Sequence, residues 1–151
     1  MTQSDPVVLI ASDHAGVELK AALQKTLPEW RWKDLGPETL ARVDYPDYAA
    51  LVAGRVSRGE ASRGILICGS GVGMVIAANK FEHVRATLVE NPVAAALSRQ
   101  HNDANILCLG ARFLAPEYAA DITRAFLETA FSHEPRHQNR IDKISKLEET
   151  P

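Results

Sequence analysis

The sequence predicts an α/β fold: a three-layer α/β/α sandwich around a five-stranded parallel sheet, followed by an extended C-terminal helix. Short β-branched or aliphatic runs alternate with longer segments of helical period, the mark of strands joined by crossover helices. The runs are apolar along nearly their whole length, as strands covered by helices on both faces must be. A chain of 151 residues with a balanced mix of apolar and charged side chains can bury one core without staples, so residues 1–151 are expected to form a single domain.

The strands are expected at Val7–Ala11, Trp30–Asp34, Gly64–Cys68, Val84–Val89 and Ile106–Leu109. Between and after them, Val17–Leu27, Tyr48–Arg58, Val72–Asn79, Pro92–Arg99 and Pro116–Phe131 read as helices, the last two opened by a proline suited to the first helical position. Right-handed crossovers then place every strand C-terminus along one rim, where a ligand is expected to bind. After a loop at Ser132–Pro135, the charged stretch Arg136–Glu149 carries Ile141, Ile144 and Leu147 at every third position. That row needs a surface to cover, and a neighbouring subunit is one candidate. No internal repeat, low-complexity segment or interdomain linker interrupts the pattern.

Several function classes drop out on composition. Net charge is −2 and the basic residues are dispersed apart from a C-terminal cluster, so no broad positive face is available to nucleic acid. Met1–Asp5 is polar and lacks the basic flank and apolar run of a signal peptide, and no apolar stretch is long enough to span a bilayer, so a cytoplasmic protein without a membrane partner is expected. Cys68 and Cys108 sit in apolar runs with no pairing pattern, and a disulfide is not expected.

The chemistry-bearing residues lie at the strand ends. The first strand ends in Ser12-Asp13-His14-Ala15-Gly16, which puts a carboxylate and an imidazole just before a helix. Asp13 is either a helix cap or a ligand group, and His14 beside helix-terminal N–H groups suits an anion such as phosphate. The third strand runs into Cys68-Gly69-Ser70-Gly71-Val72-Gly73, where three glycines let backbone N–H groups line one concavity fit for an oxyanion. Cys68 stands at its entrance, where a helix N-terminus and nearby donors favour thiolate; a small core cysteine is the bland alternative. The run Ser98-Arg99-Gln100-His101-Asn102-Asp103-Ala104-Asn105 is unusually polar for a connection, and His101 is its best candidate for acid or base work. Arg112, Arg136 and Arg140 offer guanidinium forks for phosphate, if they converge, with His137 beside the last two.

Two patterns point elsewhere and are set aside. Glu90 lies where a ribose-binding acid would follow a dinucleotide loop, but the glycine spacing is G-x-G-x-G rather than G-x-G-x-x-G, with Met74 in the place of the third glycine. His133-Glu134-Pro135-Arg136-His137 matches H-E-x-x-H, yet Pro135 disfavours helix at Glu134 and no third ligand is near. No metal or cofactor is expected.

Taken together, these segments resemble the sugar-phosphate isomerases typified by ribose-5-phosphate isomerase B, with the galactose-6-phosphate and allose-6-phosphate isomerases as relatives. The resemblance runs through Ser12–Gly16, Asp44-Tyr45-Pro46, Gly64–Lys80, Ser98–Asp103 and Arg136–Arg140, in that order along almost the whole chain. It implies a homodimer of Rossmann-like subunits with composite active sites, a dimer of dimers being a further open assembly, and a C-terminal segment that reaches across the interface. It also implies roles: Cys68 as the base between C1 and C2, His101 in opening the furanose ring, and Ser70 beside the substrate hydroxyls. Asp13 and Tyr45 would contact the ring or its hydroxyls, the segment Gly69, Ser70, Gly71, Val72 and Gly73 would cradle the enediolate, and Asn102 would bind a substrate oxygen. His14, Arg112, Arg136, His137 and Arg140 would address the phosphate. A branch of the family has a glutamate base where this chain has Met74, so the resemblance is to the cysteine branch. Ribose 5-phosphate is the default substrate, with allose 6-phosphate, galactose 6-phosphate, a tetrose phosphate, or a non-catalytic sensor of such ligands as alternatives.

Overall fold

The computed structural model describes residues 6–149, so Met1–Asp5 lies outside the described residues. Five strands, β1 (Val7–Ser12), β2 (Arg31–Asp34), β3 (Arg63–Cys68), β4 (Ala86–Leu88) and β5 (Ile106–Gly110), form one sheet in the order β2-β1-β3-β5-β4. Every neighbouring pair is parallel, with Val8 opposite Arg63 and Cys68 opposite Gly110 fixing the central register. The helices are α1 (Val17–Thr26), α2 (Tyr45–Ser57), α3 (Val72–Ala78), α4 (Pro92–Asn102), α5 (Pro116–Glu128) and α6 (Pro135–Glu148).

Side chains alternate between the two faces of a strand, and the chain uses that parity to build two cores. Val8, Ile10, Ile65, Ile67, Leu107 and Leu109 pack against α1, α4 and α5 through residues such as Leu23, Ala95 and Phe126. Leu9, Leu66, Cys68, Ile106 and Cys108 turn the other way, against Val52 of α2 and Met74 of α3. Cys68 therefore ends its strand on the α2 and α3 side.

All five expected strands form, but β4, an edge strand, pairs over Ala86–Leu88 only. Helix α2 begins at Tyr45 rather than Tyr48, because Pro46 occupies the first turn, where its missing N–H costs nothing. Helix α4 continues past Arg99 to Asn102 and closes on Asp103, whose left-handed backbone (φ 45°) returns N–H groups to the last carbonyls. Helix α5 ends at Glu128, short of Phe131, and Pro135 opens α6 one residue before the expected start.

Parallel strands and returning helices sort the candidate residues into two places. The exits of β1, β3 and β5 share one rim, whereas the last turn of α4 lies at the opposite edge, where Asn105 N–H donates to the Arg85 carbonyl and Gly64 N–H to that of Asn105. A six-residue strand separates these edges by roughly 15–20 Å. Helix α6 packs on α4, with Ile141 buried but Ile144 and Leu147 42% and 71% exposed. These two line a groove of about 810 Å³ with Phe81, Arg85 and Asn102. Among the described residues, no helix is long and apolar enough to cross a membrane.

Candidate active site

At the exit of β1, Asp13 N–H continues the sheet by donating to the Ile67 carbonyl (3.0 Å), and its Oδ1 accepts from Ala15 N–H (2.9 Å). Asp13 thus caps the short turn His14–Gly16 while lying 7% exposed on the rim. His14 Nδ1 accepts from Val43 N–H (3.3 Å), tying down the loop between β2 and α2. The same loop is pinned beneath by buried Lys20, whose ammonium donates to Asp34 Oδ1 and to the Pro37 carbonyl, both at 2.7 Å. The loop delivers Tyr45, whose ring lies so close to Gly73 that a Cβ there would sit 2.5 Å from Cζ.

Cys68 ends β3 with 4% exposure, and its Sγ accepts from Gly71 N–H at 3.1 Å. That contact needs the sharp turn at Gly71, with φ 79° and no room for a Cβ, which would meet Leu88 Cδ1 at 2.6 Å. Ser70 Oγ accepts from Val72 N–H (3.3 Å), so the hydroxyl is drawn in toward the start of α3. The outer side of the loop is held by the chain leaving β5: Ala111 N–H donates to the Cys68 carbonyl (2.9 Å) and Arg112 N–H to that of Gly69 (3.0 Å). The Arg112 guanidinium lies over Gly69, its Cζ 3.0 Å from where a Cβ would be. The rim therefore gathers Asp13, His14, Tyr45, Cys68, the segment Gly69–Gly73 and Arg112.

His101, Asn102, Arg136, His137 and Arg140 belong to the opposite edge. His101 and His137 stack with ring centroids 4.3 Å apart and planes 37° apart. His137 is 3% exposed, and its Nδ1 lies in hydrogen-bond contact with Ser132 Oγ (2.8 Å). Loss of hydration, then the nearby His101 and Arg136, hold the His137 imidazolium below its usual range. Arg136 donates from Nε to Glu134 (2.7 Å) and keeps that carboxyl below the usual range, while Arg140 is exposed.

Most of the polarity of the Ser98–Asn105 run is structural. Arg99, 2% exposed, donates to Asp103 Oδ1 (2.7 Å) and to the Thr129 carbonyl (3.1 Å). Asn105 bridges the Arg85 N–H and the His83 carbonyl, both at 2.8 Å. Beside the exposed Gln100, the run leaves His101, half-buried, and Asn102, exposed, facing outward. The chain alone does not bring His101, Asn102 or the α6 residues to Cys68, and the groove beside Asn102 lies at their edge, not at the cysteine.

A family model described as Ribose/Galactose Isomerase matches residues 8–144. The chain belongs to that family. Ribose-5-phosphate isomerase B of Escherichia coli is 42% identical over 144 residues, covering 94% of this chain and 96% of that protein. Type B ribose 5-phosphate isomerase of Trypanosoma brucei superposes with a TM-score of 0.92 at 44% identity, covering 95% of this chain and 99% of that one. The Mycoplasma genitalium ribose-5-phosphate isomerase B structure, titled as holding bound ribulose-5-phosphate, gives 0.90 at 44% identity, with 96% and 97% covered.

As a member of the ribose/galactose isomerases the chain is an enzyme of isomerisation, and its two cysteines, both buried, differ in their place on the strands. Cys108, opposite Leu66 on β5, is completely buried, and burial with the neighbouring Cys68 pushes its thiol well up, while Cys68 is the one at the rim. The H-E-x-x-H pattern does not form on one helix: His133 precedes α6 with φ 57° and packs edge-on against Phe131, whereas His137 lies inside α6. Sequence reasoning did not single out Lys20, Arg99 and Ser132 as supports. Their side-chain types are ordinary for helix and loop surfaces, and only the partners that tertiary structure supplies distinguish them.

Proposed function

We propose that this isomerase interconverts ribose 5-phosphate and ribulose 5-phosphate through an enediolate, with Cys68 as the base. The observation that carries the reading is Gly71 N–H directed at Cys68 Sγ (3.1 Å), at the mouth of a loop of small residues. The names of the E. coli and T. brucei proteins, and the ribulose-5-phosphate of the M. genitalium structure, support the substrate. Aldose–ketose interconversion needs one base over two carbons and donors for the oxygen that becomes negative. The Cys68 thiolate takes the C2 proton of the open-chain aldose, and the electron pair moves to the C1 oxygen. The proton returns to C1 while the C2 hydroxyl's proton passes to the C1 oxygen, leaving a ketone at C2 and a hydroxyl at C1. The main-chain N–H groups of Gly69–Gly73 not engaged by Cys68 Sγ and Ser70 Oγ stabilise the enediolate by about 3 kcal/mol per well-placed donor. Asp13, Tyr45 and Ser70 attend the ring and its hydroxyls.

Ring opening falls to His101, with Asn102 on a substrate oxygen and phosphate held by His14, Arg112, Arg136, His137 and Arg140. Since His101, Asn102, Arg136, His137 and Arg140 stand at the far edge of the sheet from Cys68, they come from a second copy of the chain. A two-fold homodimer repeats the contact and makes two composite sites. The exposed Ile144 and Leu147, with their groove, give such a partner an apolar surface. We place this single-domain enzyme in the cytoplasm.

Incubation with ribose 5-phosphate in deuterated water tests the reading. The wild type forms ketose with solvent deuterium at C1, recovered aldose carries it at C2, and Cys68→Ala lowers ketose formation by about 10³-fold. Undiminished turnover by the variant removes the cysteine base. A wild type that binds the sugar but forms no ketose is a sensor.

A further inference from the structure

The loop between α5 and α6 is stitched to the helix that carries His101. Arg99 Nε donates to the Thr129 carbonyl (3.1 Å), and Ser132 N–H donates to the carbonyl of Gln100 (3.2 Å), the residue before His101. The Ser132 hydroxyl then faces two partners: Glu134 N–H donates to its Oγ at 3.3 Å, and His137 Nδ1 lies 2.8 Å away. A serine hydroxyl has one proton to give. Accepting from Glu134 leaves the Ser132 hydroxyl proton free to donate to Nδ1, and in that arrangement the ring proton of a neutral His137 is on Nε2.

We propose that Ser132 is a positioning residue of the isomerase site: its hydroxyl fixes the orientation and Nε2–H tautomer of His137, which in turn holds the His101 imidazole in its working orientation. The inference rests on the reading of His101 as the ring-opening group. His137 reaches His101 through the ring stack at 4.3 Å and is itself enclosed, so a turn of its ring displaces its neighbour. The surrounding charges agree with a neutral His137: Arg136 and Arg140 of its own helix and His101 of α4 oppose a further positive charge, against Glu134 alone. Nothing else in the chemistry requires a hydroxyl at this loop position, and Ser132 is exposed enough that its loss leaves the core intact.

Nitrogen-15 imidazole spectra and steady-state kinetics of Ser132→Ala and Ser132→Thr test this. The wild type is expected to show His137 protonated on Nε2. Ser132→Ala should show loss or mixing of that tautomer, with kcat for ribose 5-phosphate down about tenfold, the equivalent of one hydrogen bond, and KM changed much less. Ser132→Thr, which keeps the hydroxyl, should restore both. An unchanged His137 spectrum in Ser132→Ala, or a kcat equal to wild type, overturns the role of Ser132. The spectra need no substrate, so absence of turnover in the wild type strikes the isomerase reading separately.

Discussion

At the exit of β3, Cys68 packs on the apolar side chains of α2 and α3, and its loop is held by main chain: Gly71 N–H on its sulfur, the Ala111 and Arg112 amides on the loop carbonyls, and glycines where side chains would collide. At the far edge, His101 and His137 are surrounded by side chains drawn from three elements, α4, the α5–α6 loop and α6. The first arrangement is set by backbone geometry and tolerates little change. The second is set by hydrogen bonds and charge and responds to single groups and to pH. The proposed two-subunit site would join the backbone-held half of one subunit to the side-chain half of the other.

Two glycines with the same backbone sign but different surroundings test the rigid half. Gly71 has φ 79° and Leu88, Leu109 and Gly110 within 3.2 Å of a Cβ, while Gly59 has φ 73° and nothing within 4 Å. Gly71→Ala should lose about 3 kcal/mol, left-handed strain plus overpacking. Gly59→Ala should lose about 1 kcal/mol, the strain alone. Urea denaturation of both checks the difference, and equal losses would mean that crowding does not shape the cradle.

The smaller effect is expected at the titratable half. Because the folded state holds the His137 imidazolium below its usual range, the unfolded chain binds more protons near and below the ordinary histidine value of about 6.5. The contribution of His137 is therefore complete above that pH and is lost as pH falls toward the folded value. Melting temperatures between pH 7.5 and pH 5.5 should drop more steeply for the wild type than for His137→Gln. Parallel curves would show that His137 is indifferent to its own protonation.

The strands, the glycine loop and its cysteine were legible because local rules govern them: aliphatic parity gives the strands, and three closely spaced glycines give the turn. The polar run Ser98–Asn105 was legible only in part. Its composition announced a purpose, yet Arg99 and Asp103 serve the end of α4, through partners such as Thr129 that lie far along the chain. The end of α4 itself was misplaced by three residues, since Asp103 in a left-handed cap gives no stronger sequence signal than a turn. That Cys68 and His101 stand at opposite edges follows from strand order and helix direction, which no single segment contains.

Mixed dimers test the two-subunit site most directly. Cys68→Ala and His101→Asn are each expected to be nearly inactive as pure proteins, but a heterodimer pairs one intact Cys68 with one intact His101. After subunit exchange, verified by native mass spectrometry, an equal mixture should regain about a quarter of wild-type activity, since about half the dimers are mixed and each holds one intact site. Mixed dimers that form and stay inactive would contradict a site shared between two copies.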